Sequence, residues 1–178
     1  INCSEWAPRI LERWAELTKN VYIWDYYANF NSYMIPFPNS DIIAPGFKYF
    51  KRQGIKAGGF AQMPLGNCNQ MAHLNRWIYA KMEWDPDQDA DALTEQYLEA
   101  AYGKAAVQIR QYLELLKHAR DRQRWTWIGC YITDTSHYFT AEDCLEAVRL
   151  LYDAENTVRY DPEPMHRLQV RKVKAAAA

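Results

Sequence analysis

Val21-Tyr22-Ile23-Trp24-Asp25-Tyr26-Tyr27 is the stretch on which the fold reading turns. It is β-branched and aromatic, and it follows Asn20, a common helix stop. Val21 to Asp25 therefore reads as a short buried strand. Upstream, Glu5 to Lys19 reads as a helix: Trp6, Ile10, Trp14 and Leu17 recur every three to four residues and share one face. Pro8 falls in its first turn, where a missing N–H does no harm. Downstream, Tyr26 to Ser40 reads as a long loop rich in Asn, Pro and aromatics. Asp41 to Gln53 reads as a second helix, interrupted early by Pro45-Gly46 and closed by Gly54. Ile55 to Phe60 reads as a second strand, whose small residues let a backbone or a ligand approach closely. Ala61 to Asn69 is a second loop, punctuated by Pro64 and Gly66.

From Gln70 onward the pattern is helical. Leu74, Trp77, Ile78 and Met82 share a face, and Asp89 to Tyr102 follows, stopped by Gly103. Lys104 to Arg122 is amphipathic through Val107, Ile109, Tyr112, Leu113 and Leu116. Thr140-Ala141-Glu142-Asp143 resembles a capping box that opens a helix to about Val158, and a last basic helix is expected from Met165. The order is thus α-β-α-β, then four or five helices, with a boundary near residue 86. The expected units are 1–86, terminal βα units, and 87–174, a helical region. Ala175 to Ala178 reads as a tag or placeholder, and the chain as a fragment. Alternating strands and helices build parallel sheets. Two strands cannot close a barrel. Further strands are expected elsewhere, and Trp125 to Thr133 is the first place to look for one.

Composition excludes some classes. With 178 residues and 49% apolar side chains, the chain has material for one domain with a real core. A net charge of -1 gives no electrostatic pull toward nucleic acid or an anionic membrane. No apolar run approaches the roughly 18 residues of a membrane span, and no signal peptide is visible. Neither a nucleic-acid partner nor a membrane is expected. The aromatic share of 15% has two readings: core packing, or flat amphipathic walls for a ligand such as a sugar. Cys3, Cys68, Cys130 and Cys144 are widely spaced and form no CxxC pair, so neither zinc nor a thioredoxin-type redox motif is expected. No nucleotide-binding or metallohydrolase motif occurs, and neither a metal nor a cofactor is expected. His73 and His137 read as structural, having no second ligand at metal-binding spacing. The acidic run Glu83, Asp85, Asp87, Asp89 and Asp91 lacks the Gly and terminal Glu of a calcium loop, and reads as a solvated loop with helix N-terminal charges.

In folds of alternating strands and helices, functional groups sit where strands run into loops. Asp25 holds such a position. Two kinds of role are open to it. It can contact a sugar hydroxyl or act as base or nucleophile in glycoside cleavage; or it can cap a helix or pair with an Arg. A glycosidase needs two carboxylates about the scissile bond. The second strand ends in Phe60-Ala61-Gln62, with no acid. Gln62 can bind a polar ligand but cannot act as a general acid.

Tyr22 to Phe30, Pro36-Phe37-Pro38-Asn39, Phe47 to Phe60, Leu74 to Pro86 and Asp91 to Gly103 together resemble a bacterial family known as domain of unknown function 4838. The resemblance runs over roughly residues 5 to 120. It implies kinship with glycoside hydrolase barrels near α-glucuronidases and β-hexosaminidases, and so an α/β fold: the C-terminal part of a (β/α)8 TIM-like barrel followed by a mostly α-helical region. It further implies a saccharide ligand and a periplasmic or extracellular address. The family pattern has Glu where this chain has Ala61, which weakens catalysis and leaves sugar binding open. The expected activity is that of a fragment of a glycoside hydrolase-like protein acting on a polysaccharide or glycoconjugate, joined to the rest of a larger polypeptide. Asp25 would be the catalytic carboxylate, and Trp24, Tyr26, Tyr27, Asn29 and Gln62 would bind substrate. The alternatives are a non-catalytic carbohydrate-binding module and a purely structural helical domain.

Overall fold

The computed structural model describes residues 6–56, 58–64, 71–122, 129–134 and 138–177. Helix α1 (Trp6–Leu17) leads to strand β1 (Ile23–Tyr26). A 3-10 turn (Ser40–Ile42) runs directly into α2 (Ile43–Arg52), and β2 (Gly59–Gln62) follows. The chain then continues through α3 (Ala72–Trp84), α4 (Ala90–Tyr102), a second 3-10 turn (Gly103–Ala105), α5 (Ala106–Asp121), α6 (Ala141–Thr157) and α7 (Pro164–Ala177).

The strands pair in parallel, with Ile23 opposite Gly59, Trp24 opposite Phe60, Asp25 opposite Ala61 and Tyr26 opposite Gln62. Among the described residues this two-stranded ladder is the whole sheet. The protein is mostly helical, and the expectation of a (β/α)8 barrel part is overturned. A barrel needs every strand hydrogen-bonded on both edges with a consistent tilt and shear. Among the described residues the strand–helix alternation stops after β2, and the later apolar faces bury against other helices. The search for a further strand at Trp125 to Thr133 falls partly outside the described residues, and 129–134 contain none.

Local chemistry sets the element ends. Gly54 closes α2 with a φ of 70°, in the left-handed region. Its N–H donates to Lys51 O at 2.9 Å, and that of Ile55 to Phe50 O at 3.1 Å. Lys56 N–H donates to Lys19 O. Ile55 and Lys56 are thereby held in the turn, and β2 starts later than the apolar pattern alone suggests. Pro45 does not interrupt α2, because it is the third helical residue, where no intrahelical donor is required. Asp89 caps α4, its Oδ1 accepting from Asp91 N and Ala92 N. That cap accounts for part of the acidic run.

One apolar cluster spans the chain. Leu74, Ile78 and Met82 of α3 pack with residues of α4 to α7, among them Leu98, Ile109, Leu151 and Val170. Each such side chain contributes about 1.5–3 kcal/mol on burial. Ile43 and Phe47 of α2 join this cluster, as does Tyr27 just past β1. Tyr27 and Phe47 both pack edge-on against Tyr79. The end of β1 is therefore anchored in the helical core. Helix α1 is not: Ile10, Trp14 and Leu17 stay exposed, and Ala15 is buried. Polar contacts tie it and the following turn down, with Tyr49 Oη 3.1 Å from Pro8 O and Lys19 Nζ donating to Gln53 O at 3.0 Å.

Candidate functional site

A cleft of about 1090 Å³ runs along β1. Helix α1 contributes Ile10 and Trp14 to its wall, and β1 contributes Trp24, Asp25 and Tyr26. Further lining comes from the loop before α2, from α2, from the start of α4 and from α5, including Asn39, Asp41, Lys117 and Arg120.

Successive strand residues point to opposite faces. Trp24 and Tyr26 are on the exposed face of the sheet, whereas Ile23 and Asp25 are half-buried on the other. Three large rings on the cleft wall are open to solvent: Trp14 at 55%, Trp24 at 65% and Tyr26 at 42%. Two of them, Trp24 and Tyr26, are held in place. Trp24 meets Phe60 edge-on, with ring centroids 5.0 Å apart, and its Nε1 donates to Gln62 Oε1 at 3.0 Å. Tyr26 packs edge-on against Phe30 at 5.5 Å.

Asp25 is on the side facing α3. Its Oδ1 accepts from the Tyr26 N–H at 2.8 Å. Burial pushes the Tyr27 phenol well above the usual tyrosine range, and the charge and hydrogen bond of Asp25 add to this. Tyr27 thus stays protonated as a donor to Asp25. Tyr79 is pushed up to about 12 by burial, then by the charges of Glu83 and Asp25. Glu83 Oε1 in turn accepts from the Gly59 N–H at 3.1 Å. Gly59 has no room for a side chain here: a Cβ would lie 2.4 Å from Tyr79 Oη. The small residues of β2 let α3 approach the sheet.

The structure separates the other expected ligand residues. Asn29 is fully buried and does not line the cleft. Its Nδ2 donates to Ile132 O at 2.8 Å and its Oδ1 accepts from Asn31 N, stitching the loop to the segment before α6. Gln62 is also absent from the wall and acts through the Trp24 indole. Ala61 is across from Asp25 in the parallel register, so an acid there would share its face. His73 is exposed on α3 and is not part of the cleft wall, while His137 is outside the described residues. Cys130 and Cys144 are free thiols; Cys3 and Cys68 are outside the described residues. Among the described residues no group of His, Cys, Asp and Glu is arranged to hold a metal ion, and no helix is long and apolar enough to cross a membrane.

DUF4838, a domain-of-unknown-function family, matches residues 4–114. The chain belongs to this family. No curated protein and no solved structure matches the chain. The DUF4838 match takes in α1, both strands, Asp25, the exposed rings, Asn39 and Asp41. It ends within α5, before Lys117 and Arg120.

Arg120 and Asp41 are a part of the cleft that the sequence reading missed. Nη1 of Arg120 donates to Pro38 O and to Asp41 Oδ1, both at 2.7 Å, and Nη2 donates to Asp41 Oδ2 at 2.8 Å. Hydrogen bonding to Asp41 raises the Arg120 pKa further above its ordinary value, against the opposing effect of burial. The only local signal was Asp41 in the first turn of a helix, where a carboxylate is favoured anyway.

Proposed function

We propose that the chain is the saccharide-binding part of a larger carbohydrate-active protein. The observation that carries this reading is the exposure of Trp14, Trp24 and Tyr26 along one open cleft. A pyranose ring has an apolar face of C–H groups and a polar rim. Indole and phenol rings offer a matching flat face with a polar edge. A cleft lined by such rings and a few fixed polar groups suits a small polar ligand. A net charge near zero favours a neutral glycan over nucleic acid.

The test is calorimetry of the intact chain against cello-, malto-, xylo- and chito-oligosaccharides. Trp24→Ala should weaken binding about tenfold, the loss expected when one stacking ring is removed. Failure of the wild-type chain to bind any glycan would end the proposal.

Hydrolysis is a second reading, favoured by Asp25 lining the cleft from the strand face opposite Trp24 and Tyr26, with a protonated Tyr27 donating to it. Asp25 would serve as base or nucleophile. Ala61 opposite it counts for binding without turnover. Reducing-sugar release by the intact protein, compared with Asp25→Asn, separates the two: turnover unchanged by the substitution removes Asp25 from catalysis.

A further inference from the structure

Helix α1 is held differently at its two ends. Just past its C-terminal end the chain is fixed: Lys56 N–H donates to Lys19 O at 3.2 Å, and Lys19 Nζ donates to Gln53 O at 3.0 Å. Toward its N-terminal end the Tyr49 side chain of α2 meets it. Tyr49 Oη is 3.1 Å from Pro8 O and 3.0 Å from Glu12 Oε1. A phenol has one proton, so it donates to one of these two acceptors at a time. Glu12 is exposed and can take water in place of Tyr49 at little cost.

Between these points little fixes the helix. Among the described residues none of its side chains belongs to the apolar cluster, and only Ala15 is buried. An amphipathic helix normally buries its apolar stripe. Here Ile10 and Trp14 of that stripe line the open cleft, and Leu17 is exposed as well. Phe37, Ile42 and Leu113 line the same cleft from other elements. Segments with few buried apolar contacts are the ones that open most readily.

We propose that α1 is a lid on the cleft, with its pivot at Thr18–Lys19 and Tyr49 as its latch. This rests on the reading above that the cleft binds glycan. With the latch released, α1 turns on the fixed Lys19 and carries Trp14 onto a sugar already resting on Trp24. A pyranose has two faces, and the two indoles, carried by separate elements, cover one each. The apolar stripe then exchanges water for ligand and cleft wall. Loss of one hydrogen bond beside an exposed carboxylate opposes the closure only weakly. A lid that closes in this way shields the ligand from water and slows its escape.

The test is hydrogen exchange of the α1 amides, residues 9–17, in the full chain. It is run free and saturated with the tightest-binding of the cello-, malto-, xylo- and chito-oligosaccharides. Tyr49→Phe and Trp14→Ala are compared with wild type by calorimetry and stopped flow. Circular dichroism checks folding, and Trp14, being 55% exposed, can be removed without touching the core. Bound oligosaccharide should slow α1 exchange about tenfold or more. Tyr49→Phe keeps the ring and frees the latch, so free α1 should exchange faster and glycan should bind about threefold tighter. Trp14→Ala should weaken binding about tenfold, nearly all of it in the off-rate. If wild type binds glycan while α1 exchanges equally with and without it, or if Tyr49→Phe binds no tighter, α1 is a fixed wall and the aromatic site stands without a lid. If the wild-type chain binds no glycan, the lid falls together with the cleft reading.

Discussion

Trp24 and Gln62 are joined across the exposed face of the β1–β2 pair, the indole Nε1 donating to the amide oxygen at 3.0 Å. Gln62 never reaches the cleft wall, yet it sets how the Trp24 ring is presented to it. Gln62→Leu should therefore separate stability from recognition. The bond is exposed, so its loss costs less than about 1 kcal/mol in a urea melt. Glycan affinity should fall, by less than in Trp24→Ala, because the ring remains but is no longer held. Affinity equal to wild type would show that Phe60 alone orients the indole.

Alkaline pH should weaken the fold. Burial raises the phenols of Tyr27, Tyr79, Tyr102 and Tyr138 above the ordinary tyrosine value. Free tyrosine ionises at about pH 10. Above that pH the unfolded chain gives up protons that the folded chain retains. Stability is thus fully present below about pH 10 and declines as pH rises toward the Tyr79 value of about 12. Denaturant midpoints followed from about pH 8 upward should show the decline, with a shallower slope in Tyr79→Phe. A flat profile through about pH 11.5 would contradict it.

What was legible in the sequence is what local chemistry decides. Gly54 ends α2 by adopting a positive φ, and Asp89 and Thr140 cap helices through their own side chains. Strand ends were less legible, because a strand begins where its partner allows. β1 and β2 both run further toward the C-terminus than their apolar runs suggest. The barrel expectation came with the family resemblance; the α-β-α-β rhythm could not correct it, because it reads the same for two strands as for eight. The Ile10–Trp14–Leu17 stripe showed that one face of α1 is apolar, but periodicity cannot say whether that face packs or lines an open cleft. The polar wall was invisible for a different reason. Arg120 and Asp41 are 79 positions apart, and Asn29 and Ile132 are 103 apart. No local pattern announces such pairs.

The Arg120–Asp41 pair should matter to stability as well as to the cleft. Arg120→Met keeps the aliphatic stem and removes every donor. It leaves Pro38 O, Asp41 and Asp121 to find water, and only Asp41 and Asp121 have exposed surface for it. Removing one partner of a fully buried ion pair costs about 3–5 kcal/mol. Because Asp41 is partly solvated, the loss here should be about 2–3 kcal/mol. Chemical denaturation measures it. A loss below about 0.5 kcal/mol would mean that the clamp adds nothing to the fold.

Acid should act at a different place, the start of α6. Thr140 Oγ1 accepts from the Asp143 N–H at 3.2 Å, and Asp143 Oδ2 accepts from the Thr140 N–H at 2.9 Å, a reciprocal capping box. Arg122, one residue past α5, binds the same carboxylate, with Nη1 at 3.0 Å from Oδ1. The Arg122 hydrogen bonds hold the Asp143 carboxyl below its ordinary value, helped by Thr140. For a depressed carboxyl the sign is fixed. Its contribution is present above the unfolded value, about 3.9, and is lost as pH falls through the folded value. Protonation releases Arg122 and half of the capping box, so α6 should loosen at its N-terminus before the helical core melts. Asp143→Asn should remove this acid-dependent component while lowering stability at neutral pH. Thr140→Ala should cost about 1 kcal/mol yet keep the acid dependence, because Arg122 still holds the carboxylate. Hydrogen exchange of the first turn of α6 between about pH 5 and pH 3 distinguishes these outcomes. If Asp143→Asn retains the full acid response, the titrating group is elsewhere.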